Sequence, residues 1–148
     1  MIRSSAARRR AWFAVERVQA SAMDCGPACL ASLLEGFGVQ ASYGRLREAC
    51  QTDIDGTSVD AIESVAQAMG LEAEQQIIPV DHLLLRGEEN LPALAVVRQA
   101  DGPLHFVVLW RRVGPWLQVM DPATGRRWVT GDALLDTLPP SLKGAERA

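Results

Sequence analysis

Three cysteines and two histidines are the side chains of this chain best suited to nucleophilic or metal chemistry, and their positions differ in what they allow. Cys25 opens an apolar run in which Ala28, Cys29, Leu30, Ala31, Leu33, Leu34 and Phe37 are interrupted only by Ser32 and Glu35. This pattern predicts a helix over about residues 26–37, buried on most sides. Pro27 sets its start, because proline costs about 3 kcal/mol inside a helix but is accepted in the first turn. The helix therefore begins within a residue or two of Cys25. The thiolate is the reactive form of cysteine, and the free N–H groups and positive dipole end of a helix lower its ordinary pKa of about 8.5. Cys25 is thus either an activated nucleophile or one more small apolar residue. Cys29 and Cys50 lie inside helical patterns and read as core thiols.

A thiolate that transfers acyl groups needs a base, and the base needs a group to orient it. His82, in the polar-edged Val80-Asp81-His82-Leu83, reads as a surface residue. His105 interrupts Leu104-His105-Phe106-Val107-Val108-Leu109-Trp110, a run otherwise suited to a strand buried on both faces. A buried imidazole must find hydrogen-bond partners. A three-residue hairpin loop at Arg112-Val113-Gly114 would set His105 opposite Asp121, with their Cβ atoms about 4.5–5.5 Å apart. The carboxylate could then hold an imidazole N–H, whereas a slip of one residue would send it to the other face. Asp121 also opens the turn Asp121-Pro122-Ala123-Thr124-Gly125. Gln19, six residues before Cys25, can offer an amide N–H to a developing oxyanion beside the backbone N–H of Cys25.

The elements that must position these groups follow from the pattern around them. A second helix is expected from Tyr43 to Gln51 behind Ser42, and a third from about Ser58 to Met69, with Ile62, Val65, Ala66 and Met69 inward and Gly70 closing it. Beyond Gly70 come short β-rich runs at Ala73 to Pro79, Ala93 to Gln99, Leu104 to Arg111, Trp116 to Asp121 and Arg127 to Thr130, with a helical turn around Asp81 to Leu85. Helices first and strands afterwards predict an α+β domain, with a mostly antiparallel sheet packed on the first helix.

Composition narrows the function. With 148 residues, 48% hydrophobic and 22% charged, the chain is sized for one globular domain and is neither disordered nor a disulfide-stapled scaffold. Its longest apolar run has five residues, Phe106 to Trp110, against about 18 for a membrane span. Residues 1–17 hold five arginines and one glutamate, a net +4 that leaves −7 on the rest. They read as a basic flexible arm, and an acidic body argues against nucleic-acid binding. One cysteine pair four residues apart falls short of a metal-ligand framework, so neither a metal nor a cofactor is expected.

The order Gln19, Cys25, His105, Asp121 resembles that of papain-like cysteine proteases. More narrowly the chain is similar to the peptidase domains of ABC transporters that cut bacteriocin-like precursors after a double-glycine leader. The resemblance rests on Gln19 with five residues before Cys25, Asp24-Cys25-Gly26-Pro27-Ala28-Cys29-Leu30, Asp55-Gly56-Thr57-Ser58, Pro92-Ala93, His105-Phe106-Val107-Val108 and Asp121-Pro122. It implies a papain-like fold, Cys25 as nucleophile, His105 as base, Asp121 as its orienter and Gln19 as oxyanion donor. It also implies a leader peptide as substrate, transporter membrane and ATPase domains as partners in the same or a separate chain, and a place at the cytoplasmic face of the membrane. The sequence departs from the family in carrying neither a hydrophobic span nor a Gly-rich phosphate loop, which suggests an excised domain or a free-standing peptidase. On this reading the peptidase domain covers residues 18–138, and 139–148 form a tail or linker. The alternative is a leader-binding module without catalysis.

Overall fold

The computed structural model describes residues 2–5, 10–51, 56–76, 91–98 and 104–137. His82, the helical turn expected near it and the C-terminal tail lie outside these. Strand β1 (Ile2–Ser5) comes first, followed by helices α1 (Cys25–Gly36), α2 (Tyr43–Ala49) and α3 (Val59–Ala68). Strands β2 (Glu72–Gln75), β3 (Ala93–Arg98), β4 (Leu104–Val113), β5 (Trp116–Asp121) and β6 (Gly125–Thr130) come next, and helix α4 (Gly131–Thr137) closes the order. The six strands form one sheet, ordered β2-β1-β3-β4-β5-β6 with every pairing antiparallel. This is the expected α+β architecture.

Helix α1 starts at Cys25 with Pro27 as its third residue, where the missing N–H has no intrahelical acceptor to lose. Every residue of α1 except Glu35 is buried, because one side faces α2 and α3 and the other lies on the sheet. Leu30, Leu33 and Leu34 meet Leu94, Val108, Trp110 and Met120 there. The opposite face of the sheet buries Ala93, Ala95, Val97, Val107, Leu109, Leu117 and Val119 with Leu134 of α4. Helix α3 has the inward face expected of it, and Ser58 caps its start by accepting the Ala61 N–H at 3.1 Å. Helix α4 was not expected, although Thr130 accepting Ala133 N–H at 3.3 Å is a helix-start signal.

Two expectations are corrected. Residues 2–5 and 10–17, expected within a flexible arm, are built into the fold. Residues 2–5 form β1 between β2 and β3, and residues 10–17 run across the sheet, held at nearly every step. Ala11 N–H donates to Gly36 O at 2.8 Å, Trp110 Nε1 to Ala11 O at 3.0 Å, Ala14 N–H to Gln118 Oε1 at 2.5 Å and Arg126 N–H to Glu16 Oε1 at 2.9 Å. Arg10 and Arg17 act as clamps: Arg10 bonds Trp110 O at 3.1 Å and Arg17 pairs with Glu35. Arg10 reads as solvated because its tertiary partner is a hundred residues away in sequence.

The hairpin register is the second correction. The β4–β5 loop is the two residues Gly114-Pro115, not the three expected, with Gly114 at φ +57. Val113 pairs with Trp116, Arg112 with Leu117 and Arg111 with Gln118. Carried on unchanged, that register would set Asp121 opposite Val108, on the face away from His105. A β-bulge at Trp110 inserts one residue, so that Leu109 pairs with Val119 and Val108 with Met120. Asp121 thereby falls in register with Val107, and Val107 and His105 share a face.

Candidate active site

Cys25 is the first residue of α1, only 8% exposed, and its helix end abuts the start of β4. Strand β5 pairs with β4 only as far as Val108, so Phe106 has no strand on that side. The first turn of α1 takes the vacant place. Phe106 N–H is directed at Cys25 Sγ, and Cys29 Sγ, one turn on, donates to Phe106 O at 3.3 Å. Cys29, expected to be mere packing, thus also ties the helix to the strand.

His105 Nε2 lies 2.8 Å from Asp121 Oδ1, with both residues at least nine-tenths buried. The ring also hydrogen-bonds the Cys25 side chain, and Nδ1 is the nitrogen left for that contact. Asp121 Oδ1 accepts Ala123 N–H at 2.9 Å as well, and Thr124 N–H bonds Asp121 O at 3.1 Å, which makes the turn expected after it. Arg127 stands 3.6 Å from Asp121 Oδ2. The carboxylate is therefore fixed from two directions before it meets the imidazole.

The electrostatics follow from these contacts. Burial by itself would raise the Cys25 thiol, but His105 and the N–H groups of Phe106 and Gly26 outweigh it and hold the thiol below its ordinary value. Burial would likewise lower His105, yet its bonds and charge interactions with Asp121 and Cys25 raise it to about 9. Asp121 is held below the usual carboxylate range, the His105 bond overcoming burial. These shifts favour a thiolate–imidazolium pair. The other thiols move the opposite way: burial pushes Cys29 well above its ordinary value and Cys50 up to about 11.

Gln19 enters from the N-terminal segment, where its N–H donates to Pro122 O at 2.7 Å, one residue after Asp121. Its Oε1 is buried, with no hydrogen-bond partner among the described residues. Cys25 is the first helical residue, so its N–H has no acceptor within α1. The fold therefore joins His105 to both Cys25 and Asp121 and ties the Gln19 backbone to the Asp121 turn. Sequence reasoning missed the N–H groups of Phe106 and Gly26 and the clamp by Arg127, since only the folded backbone aims them.

The model of the Peptidase C39 family matches residues 15–137. The lactococcin-G-processing and transport ATP-binding protein LagD of Lactococcus lactis is 32% identical over 103 residues, which is 70% of this chain and 14% of that protein. The transport/processing ATP-binding protein ComA of Streptococcus pneumoniae is 30% identical over 110 residues, 74% of this chain and 15% of that protein. The chain thus spans about one seventh of the length of these relatives. Among solved structures, a double glycine motif protease from an AMS/PCAT transporter, in complex with its leader peptide, superposes with a TM-score of 0.76 over 91% of each chain at 24% identity. The peptidase domain of Streptococcus ComA gives 0.67 over 82% of this chain and 89% of that one, at 26% identity. With a buried cysteine at a helix start, an imidazole against it and these relatives, the chain belongs to the Peptidase C39 family of cysteine peptidases.

Proposed function

We propose that this chain is the endopeptidase that removes the leader of a secreted, bacteriocin-like precursor after a double-glycine-type motif, with Cys25, His105, Asp121 and Gln19 as its working residues. The observation that carries the reading is the unbroken contact Cys25–His105–Asp121 at the first turn of α1. The Cys25 thiolate attacks the carbonyl carbon of the last leader residue. The oxyanion that forms is stabilised by the side-chain amide of Gln19 and the backbone N–H of Cys25. The His105 imidazolium gives its proton to the departing amine, which frees the mature peptide and leaves a thioester on Cys25. Water then attacks the thioester, His105 takes its proton, and the leader departs as a carboxylic acid. Asp121 keeps the ring oriented and its positive charge favourable throughout.

Residues 18–138 make up the catalytic unit in this reading, together with the preceding segment clamped across the sheet. Its partners are the membrane and ATPase domains of an exporter, in the same or a separate chain, and it works at the cytoplasmic face of the membrane. Among the described residues no helix is long and apolar enough to cross a bilayer.

The test is incubation with a synthetic precursor carrying two glycines before the cut, with mass spectrometry of the products. Cleavage after the second glycine, lost in Cys25→Ala, is the expected result. Intact precursor bound equally by both proteins would leave a leader-binding module instead.

A further inference from the structure

Asp24 precedes the proposed nucleophile and is 1% exposed. A carboxylate at a helix N-cap usually accepts N–H groups of the first turn. Asp24 makes no such bond. Its side chain turns to α2, where Arg47 Nε lies 2.8 Å from Oδ1 and the Tyr43 hydroxyl faces it. Among the described residues neither carboxylate oxygen finds a well-aligned hydrogen bond, an expensive arrangement for a buried carboxylate. The Tyr43 oxygen is in turn the acceptor for Ala20 N–H, at 3.1 Å. A chain of polar contacts therefore runs from the residue before Cys25, through α2, to the residue after Gln19.

We infer that Tyr43, which faces Asp24, is a positioning residue that sets the Gln19 side chain where an oxyanion forms. This rests on the oxyanion role given to Gln19 above. With Oε1 unpartnered, the amide is placed by its backbone, and that backbone is fastened at two adjacent points, Gln19 N–H on Pro122 O and Ala20 N–H on Tyr43 Oη. One anchor belongs to the Asp121 turn and the other to α2, so the segment is registered against both halves of the site. Removing the second anchor leaves the amide free to swing about the first. Displacements of about 1 Å can lower turnover by as much as about 10²-fold.

The experiment compares Tyr43→Phe, Asp24→Asn, Gln19→Ala and the double variant Tyr43→Phe/Gln19→Ala, with the double-glycine precursor as substrate and iodoacetamide as a probe of Cys25. Tyr43→Phe is expected to lower kcat about tenfold with KM nearly unchanged, and Asp24→Asn to lower it less. Both should leave the rate and pH profile of Cys25 alkylation as in the wild type. In the double variant the Tyr43 change should cost nothing beyond the loss from Gln19→Ala. Wild-type kcat in Tyr43→Phe beside a deficient Gln19→Ala would overturn the inference and leave the oxyanion role standing. Additive losses, or slower alkylation, would overturn it by placing the effect on α1. Wild-type kcat in Gln19→Ala would remove the oxyanion role itself, and the inference with it.

Discussion

His105 and Asp121 meet at 2.8 Å without being paired residues of the β4–β5 ladder. The pairing set by the Gly114-Pro115 turn would put them on opposite faces, and the bulge at Trp110 brings them to the same one, as diagonal neighbours. Diagonal Cβ atoms lie about 7–8 Å apart, within reach of an imidazole and a carboxylate extended toward each other. The bulge is itself built in. Trp110 donates to Ala11 O, and the adjacent Arg111 donates to Trp12 O at 3.3 Å, so two consecutive side chains hold the same crossing segment.

The packing behind that bulge gives a stability prediction. A Cβ at Gly36 would fall 2.2 Å from Cη2 of Trp110, which is fully buried. Gly36→Ala must move the indole or the end of α1. It is expected to lower unfolding free energy by about 1–3 kcal/mol, seen as a lower urea midpoint at unchanged slope. A wild-type midpoint would show that Trp110 does not hold the bulge rigidly.

Thiol reactivity should follow environment. Cys25 is expected to react with iodoacetamide below the pH range of an ordinary thiol and well ahead of Cys29 and Cys50, whose burial raises their pKa. His105→Ala should slow the Cys25 reaction near neutral pH, because the largest lowering influence on the thiol is that side chain. Peptide mapping by mass spectrometry reads both, and first modification at Cys50 would misplace the nucleophile.

The pH profile of kcat/KM tests Asp121. His105 is raised to about 9, so the thiolate–imidazolium pair persists up to that pH and is lost above it as the ring gives up its proton. Activity should fall on the alkaline side near there. Asp121→Ala removes the leading influence that raises the ring, so the alkaline limb should move to lower pH and kcat should drop on the order of 10²-fold. Asp121→Asn should lose less, since an amide oxygen still accepts the ring N–H. An unmoved limb in both variants would exclude Asp121 as the group tuning His105.

Substrate preference follows from the proposed function. Walls that select two glycines must approach the backbone closely, so valine at either of the last two leader positions should abolish efficient cleavage, while alanine at the cut should be accepted. Two glycines offer little binding area, and truncating the upstream half of the leader should therefore raise KM sharply. A series of synthetic precursors measured for kcat/KM decides both. Rapid turnover of the valine peptides would defeat the double-glycine assignment.

What the sequence determined by itself was local. Pro27 and the apolar run after it place a helix start at Cys25, and helix-start chemistry is written in neighbouring residues. His105 was legible as a polar residue inside a strand buried on both faces. The contact of His105 with Asp121 was also expected, but through a hairpin register that the fold does not have: a shorter turn and a bulge each shift the pairing, and together they preserve the shared face. Bulges depend on packing, here of Trp110 against Gly36 and Ala11, and no run of neighbouring residues announces that. The N-terminal segment misled for the same reason, since Arg10, Arg17 and the Ala14 backbone are satisfied by Trp110, Glu35, Gln118 and Arg126. Asp24 faces α2 rather than the first turn of α1, because Arg47 and Tyr43 become its neighbours only when the helices pack. Sequence fixes which groups can react; the tertiary structure decides which backbone N–H, carboxylate and amide surround them, since those are contributed from tens of residues away.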